Sequence, residues 1–503
     1  MSISRRNFLL TSVAMMSAAL TGCAQSRVEA SKPDARGGAA RVPRRLIAET
    51  RSIEVNGRTA TMLGVRQTDG TRGLVLEPGE RFDVELENRL NGPTIVHWHG
   101  QMPPPEQDGV TQFGESDLQP GERRRYDFVP RQGTFWMHSH HGFQEQWLLA
   151  APLIIRTPDD VRADRQEVTI FLQDFTFRDP QEIMAELRRG SASGAAPTTL
   201  SSATHSAAAG MAHMEVMQEM AGRNMPRMPA AMSKAMDLND VDFDAFLAND
   251  RTLDDPEIIR VERGARIRLR VINGASSTNF HFDLGPLQGT VVAVDGNPTR
   301  PLVGRRFELA MAQRMDILVD LPKEAGVWPL LAVREGDRQR TGIVLASHGV
   351  HVGRVPAMAT EKSGAVTFDQ ELRMSAATPL TARPVDAHFM LTLTGSMQPY
   401  VWGFDGKGWD DRDVVKIRSG QRVAITFHNV TGMFHPIHLH GHYFQVVALN
   451  GNPFVGALRD TVHVPPSATV TVAFDADNAG RWLMHCHNLY HMQAGMITEV
   501  AYD

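Results

Sequence analysis

One thirteen-residue pattern occurs three times in this 503-residue chain, and it limits the possible folds more than any bulk property. The copies are Leu76-Glu-Pro-Gly-Glu-Arg-Phe-Asp-Val-Glu-Leu-Glu-Asn88, Val261-Glu-Arg-Gly-Ala-Arg-Ile-Arg-Leu-Arg-Val-Ile-Asn273 and Ile417-Arg-Ser-Gly-Gln-Arg-Val-Ala-Ile-Thr-Phe-His-Asn429. Each has a glycine turn, an alternating segment and an asparagine nine residues after the glycine. Period-two alternation opened by a glycine turn marks a half-buried strand. The copies are far enough apart to sit one per domain, and a chain of this length exceeds what a single core supports. Many short strands with frequent turn signals predict an all-β protein whose three domains are Greek-key β-sandwiches. The expected boundaries are 43–158, 159–355 and 356–503, preceded by a leader and tether over 1–42.

The repeat also orders the histidines. Nine and eleven residues after Asn88 come His97 and His99, and the same offsets from Asn429 give His438 and His440. Later in the same two units, Gly133 is followed five and seven residues on by His138 and His140, and Gly480 by His485 and His487. In the middle unit the corresponding positions are Phe282, Leu284, Leu331 and Val333. Residues two apart on a strand share a face, so each pair can serve neighbouring metal ions. Two histidine-bearing units and an apolar spacer imply a metal cluster at the contact of the terminal domains. The scattered His281, His348, His351, His388, His428 and His463 read as ordinary core or surface residues.

The chain has two cysteines, Cys23 and Cys486. Cys486 lies between His485 and His487, with His435 upstream and His491 and Met496 downstream. Two imidazoles, one thiolate and a weak axial thioether form a blue-copper site, suited to one-electron transfer. The bonds from Cys486 to its two histidine neighbours supply a short covalent route from that site to the cluster.

His97-Trp98-His99-Gly100, His138-Ser139-His140, His435-Pro436-Ile437-His438-Leu439-His440 and His485-Cys486-His487 with His491 and Met496 closely resemble the multicopper oxidase family. The resemblance covers nearly the whole chain after the leader. It implies cupredoxin-like domains and four copper ions: one type 1, one type 2 and a binuclear type 3 pair. By resemblance His435, Cys486, His491 and Met496 hold the type 1 ion, and His97 and His438 the type 2 ion. His99, His138, His140, His440, His485 and His487 hold the pair. The implied reaction takes single electrons from a donor and reduces O2 to water, which also requires protons. Asp108 matches an acidic position of related oxidases and is the candidate proton-delivering residue. A second family acid is replaced here by Met492.

Residues 201–240 form a methionine-rich insertion containing His205, Met211, His213, Met214, Met217, Met220, Met225, Met228, Met232 and Met236. The spacing of three from Met211 to Met220 predicts one helical side before Pro226 and Pro229. Thioethers prefer Cu(I), so Met211, Met214, Met217 and Met220 are candidate substrate ligands; a flexible apolar lid is the other reading. Similar insertions occur in the copper-resistance branch of the family, whose members oxidise Cu(I). Met433 matches a substrate-copper methionine of such enzymes, while the aspartate expected two residues earlier is Thr431. Cuprous oxidation is the first expectation and laccase-type phenol oxidation the second. A copper-sequestering protein and a copper-free interaction protein of the same fold are disfavoured by the complete ligand set.

Ser4-Arg5-Arg6-Asn7-Phe8-Leu9 has the twin-arginine pattern, and the apolar run Phe8 to Leu20 is too short to span a bilayer. Leu20-Thr21-Gly22-Cys23 resembles a lipoprotein processing box; an ordinary leader that discards Cys23 is the alternative. Export to the periplasm is expected, with any membrane attachment through a lipid on Cys23 and an outer-membrane destination. The net charge of −5 gives no basis for binding nucleic acid, and a monomer is expected.

Overall fold

In each third of the chain the strands form two sheets, and the repeated pattern is where the chain crosses from one to the other. The computed structural model describes residues 42–190 and 238–503. All the sheets lie in the contact unit Pro43–Asp503. The leader with Cys23 and the methionines from Met211 to Met236 lie outside the described residues.

In the first third, Leu74–Leu76 pairs in parallel with Ala150–Ile155. The chain then turns at Gly79, whose φ of +82° favours glycine, and enters Phe82–Asn88, parallel to Arg44–Val55 of the other sheet. The middle third repeats this: Ile258–Val261 pairs with Arg340–Ser347, and after Gly264 the strand Arg266–Asn273 runs parallel to Gln166–Phe175. So does the last, where Val415–Ile417 pairs with Ile497–Tyr502 and Arg422–Asn429 with Ala387–Met397. The protein is therefore all-β, as expected, with short helices such as Pro180–Gly190 as accessories.

The asparagine ending each copy ties the next loop to the sheet. Asn88 donates to the carbonyls of Gly92 and Leu118 and accepts from the Leu90 amide. Asn273 donates to Thr278 and Leu309 and accepts from Ala275; Asn429 donates to Met433 and Val464 and accepts from Thr431. All three side chains are buried, so these bonds satisfy loop carbonyls that water does not reach. The fixed loops deliver the following strands in register.

The inner faces carry the core. Leu46, Phe82, Leu86, Trp98, Phe135 and Leu153 fill the first pair of sheets, while the middle and last pairs share one continuous cluster. Phe282 and Leu284, at the spacer's histidine-equivalent positions, are buried in that cluster, as the repeat predicts. Burying two large apolar side chains supplies a few kcal/mol where the terminal units place ligands instead.

Candidate metal centre

Four strands bring the histidine pairs together. Val96–His97 pairs with Gly133–Ser139 so that His97 faces His138, and His435–Leu439 pairs with Arg481–Cys486 so that His438 faces His485. The two units then interleave their rings. His97 of the first stacks on His440 of the last with centroids 3.8 Å apart, and His99 stacks on His438 at the same distance. Three histidine groups result, each with donor atoms within 4.8 Å of one another: His97, His99 and His438; His99, His138 and His487; His140, His440 and His485. Every group draws on both terminal units.

The outer nitrogens of His97, His99, His438, His440 and His485 are engaged, and that settles which way the lone pairs of these rings point. His97 Nδ1 donates to the Asp108 carbonyl (2.8 Å) and His438 Nδ1 to the Asp460 carbonyl (2.7 Å). The carboxylates of the same two acids reach the opposite unit: His440 Nδ1 donates to Asp108 Oδ2 (2.8 Å) and His99 Nε2 to Asp460 Oδ1 (3.1 Å). His485 Nδ1 donates to the Cys486 carbonyl (2.9 Å). Since a carbonyl or carboxylate only accepts, His440 and His485 carry their protons on Nδ1, yet their Nε2 atoms face each other at 3.0 Å. Two lone pairs at that distance repel unless a cation lies between them. His97 Nε2, His99 Nδ1, His138 Nε2, His140 Nε2, His438 Nε2 and His487 Nε2 are likewise buried without a hydrogen-bond partner among the described residues. Such a concentration of orphaned acceptors is costly in a metal-free core and is the signature of a ligand shell.

Two further features hold this shell. Arg314, a fully buried residue of the spacer unit, grips Asp460 with both terminal nitrogens and so joins the middle unit to the cluster. Gly109 has φ +80°, and a Cβ there would lie 1.9 Å from the Val96 carbonyl oxygen. That close approach sets the Asp108 carbonyl over His97.

A second group sits beside the cluster. His435 Nδ1 and His491 Nδ1 are 3.1 Å apart, each 3.7 Å from Cys486 Sγ. Their outer nitrogens are also held, His491 Nε2 by Asp240 Oδ2 (2.8 Å) and His435 Nε2 by Thr431 Oγ1 (2.8 Å). The Thr431 hydroxyl proton is directed to Asn429 or Met433, so this oxygen accepts from His435. Both Nδ1 lone pairs therefore point inward at the sulfur. Met496 is fully buried in the same core, its backbone bonded to Cys486 and His491. Met433 is buried there too, at 6% exposure.

Comparison with known proteins decides the family. Profiles described as multicopper oxidase match residues 48–160, 166–349 and 382–503. Multicopper oxidase MmcO of Mycobacterium tuberculosis is 33% identical, over 84% of this chain and 80% of that protein. The chain belongs to the multicopper oxidase family. Copper resistance protein A of Escherichia coli is 28% identical, over 86% of this oxidase and 88% of that protein. The crystal structure of Fet3p, described as a multicopper oxidase that functions in iron import, superposes with a TM-score of 0.72 at 16% identity, covering 91% of this oxidase and 90% of that chain.

The residues fit copper. Burial holds His99, His138, His140, His435, His438, His440 and His487 well below the ordinary histidine range and draws His485 down to about 4, so they stay neutral, which is the ligating form. Burial pushes the Cys486 thiol up, and only a metal can offset the cost of the thiolate there. A Cys-His-His group beside an all-imidazole cluster matches copper's ligand preferences.

All eleven ligand positions expected for histidine and cysteine fall in these two groups. The sequence reading did not find Asp460, Arg314, Asp240 or Glu145. Asp460, Arg314 and Asp240 act through partners far along the chain, 361 residues for His99 and Asp460, and Glu145, though near His138 in sequence, lies outside the repeated pattern. Two cavities flank the oxidase's centre. One of about 400 Å³ opens onto His140 and is lined by Trp409, Asp410, Asp411 and Met492. The other, of about 350 Å³, is lined by Ile183, Glu186, Leu187, Gly190, Asp240 and Met397.

Proposed function

We propose that this oxidase is a cuprous oxidase serving copper tolerance outside the cytoplasm, in which four Cu(I) ions and four protons are consumed per O2, giving four Cu(II) and two waters. In this reading His435, Cys486, His491 and Met496 hold a type 1 ion, and His97 and His438 a type 2 ion. His99, His138 and His487 hold one type 3 ion, and His140, His440 and His485 the other. Bound copper supplies reversible one-electron redox chemistry at the first site and binding and reduction of O2 at the other three.

The observation that carries the substrate reading is Asp240. Its side chain is fully buried; Oδ2 lies 2.8 Å from the outer nitrogen of His491 and accepts from Tyr400 and Asn488, while Oδ1 has no hydrogen-bond partner among the described residues. A buried carboxylate oxygen without a partner suits a cation, and here it would sit one imidazole from the electron acceptor. This is the acid that Thr431 does not provide. The cavity lined by Asp240 also includes Gly190, so the chain on both sides of the methionine-rich stretch is anchored at this entry face. The relative named for copper resistance supports the same direction. In the oxygen-reducing site, Asp108 holds His440 through Oδ2 and leaves Oδ1 free of hydrogen bonds, available to carry a proton.

Phenol oxidation is the second reading, favoured by the apolar Ile183, Leu187 and Met397 in the same cavity. Oxygen uptake by the copper-loaded protein with Cu(I) and with a bulky phenol separates the two: preference for the phenol would make the enzyme a laccase. Metal analysis should give four coppers per chain. Export by the twin-arginine route and anchoring through Cys23 belong to the same proposal, and a mature N-terminus other than acylated Cys23 would remove the anchor.

A further inference from the structure

Glu145 lies in the turn after His140, is 4% exposed, and has no role in the reading above. Its Oε2 is 2.7 Å from His138 Nδ1, and its Oε1 is 3.9 Å from His487 Nδ1. Oε1 and His487 Nδ1 are both buried and otherwise without a hydrogen-bond partner. His138 and His487, with His99, are one of the three-histidine groups. A single carboxylate therefore faces two of its three rings, in hydrogen-bond reach of His138, where the Ser139 carbonyl is a second acceptor at 3.2 Å, and in ion-pair reach of His487. The next residue pins the turn: the Gln146 side chain accepts from the Ser276 hydroxyl and from Tyr490, one partner in the middle unit and one in the last. Those contacts fix the backbone of the turn that carries Glu145. Across the cluster Asp108 backs His440 of the other group, so the pair of groups is flanked by an acid on each side.

We infer that Glu145 is a positioning residue for the His99, His138 and His487 site. With the Ser139 carbonyl (3.2 Å) it keeps the proton of His138 on Nδ1, and its charge, 3.9 Å from His487 Nδ1, favours the proton on that nitrogen too, so the Nε2 lone pairs of both rings turn inward. An acceptor on the far side of a ligating imidazole fixes its tautomer and raises its donor strength. The inference rests on the proposal that copper occupies this group.

The test uses full-length, copper-loaded Glu145→Ala and Glu145→Gln proteins. The readouts are copper per chain during titration with a Cu(II) chelator, electron paramagnetic resonance, and the visible absorption of the blue site. Glu145→Ala is expected to weaken retention at this one site by about 10- to 100-fold. The blue absorption should persist while the ion left unpaired in the neighbouring group becomes visible by resonance. Glu145→Gln keeps an oxygen for His138 but loses the charge that faces His487, and should weaken retention several-fold. Wild-type retention and an unchanged resonance spectrum in Glu145→Ala would overturn the proposal. If that variant does not fold, as judged by loss of blue absorption, wild-type retention in Glu145→Gln overturns it instead. A wild-type protein that takes up copper only at the blue site would defeat the underlying reading rather than this inference.

Discussion

A histidine offers a metal one nitrogen only when something else holds the other, and in this oxidase the holders are mostly acids and carbonyls. Asp108→Asn keeps a side-chain oxygen that can accept from His440 but removes the carboxylate. Oxygen consumption is expected to fall by about 100-fold or more while the blue absorption stays. An unchanged turnover would remove Asp108 from proton delivery. Asp240→Asn should raise the KM for Cu(I) more than that for a phenol; equal effects on both would count against a cation at Oδ1. The buried His442 and His463 add a pH dependence of stability, since burial lowers both from 6.5 to about 4. Between those values the unfolded chain binds protons that the folded one refuses. Their contribution is therefore fully present above about pH 6.5 and is lost as the pH falls toward 4, by up to about 3 kcal/mol each. The loss of stability from pH 7 to pH 5 in urea denaturation, compared between the metal-free wild-type and His463→Gln proteins, measures the His463 share, and an equal loss in both would contradict it.

At the scale of elements, the copper-binding strands depend on what precedes and backs them. Asn429→Ala leaves two buried carbonyls, one part-buried carbonyl and one amide short of a partner, and a loss of about 2–4 kcal/mol is expected in denaturant unfolding. Arg314→Leu leaves Asp460 as an unpaired buried charge and should cost about 3–5 kcal/mol, with loosened copper at His99 and His438. The asparagine and the histidine pairs were legible in the sequence because a strand's period and a loop's length are local quantities. A fixed offset from Asn88 or Asn429 is enough to place His97 or His438. Arg314 was not legible: it belongs to the spacer strand Arg314–Asp320, and its charge gains meaning only when folding brings Asp460, 146 residues away, against it. Asp240 was hidden for the same reason, since it follows a methionine-rich segment whose composition draws attention to sulfur. Thr431 stands where the resemblance expects a substrate-copper aspartate, and its hydroxyl has a role that the sequence did not suggest: it holds His435.

At the scale of the whole molecule, metal and fold are linked because the ligand groups span both terminal units. Chelating the copper should lower the melting temperature, since ions bound only by the folded state stabilise it by several kcal/mol at saturating concentration. Deleting residues 205–236 should reduce turnover of Cu(I) selectively; an equal loss with a phenol would point to damage at the shared entry face instead. The reciprocal reach of Asp108 and Asp460 bears on how the molecule is made. When the fourth histidine, His140, has just been translated, Asp460, the residue that orients His99, is still 320 residues ahead (460 − 140). No half of this centre can be charged in advance and passed forward. Copper has to wait for the finished chain, so delivery in the cell is a question for the mature protein and its surroundings, not for the nascent one.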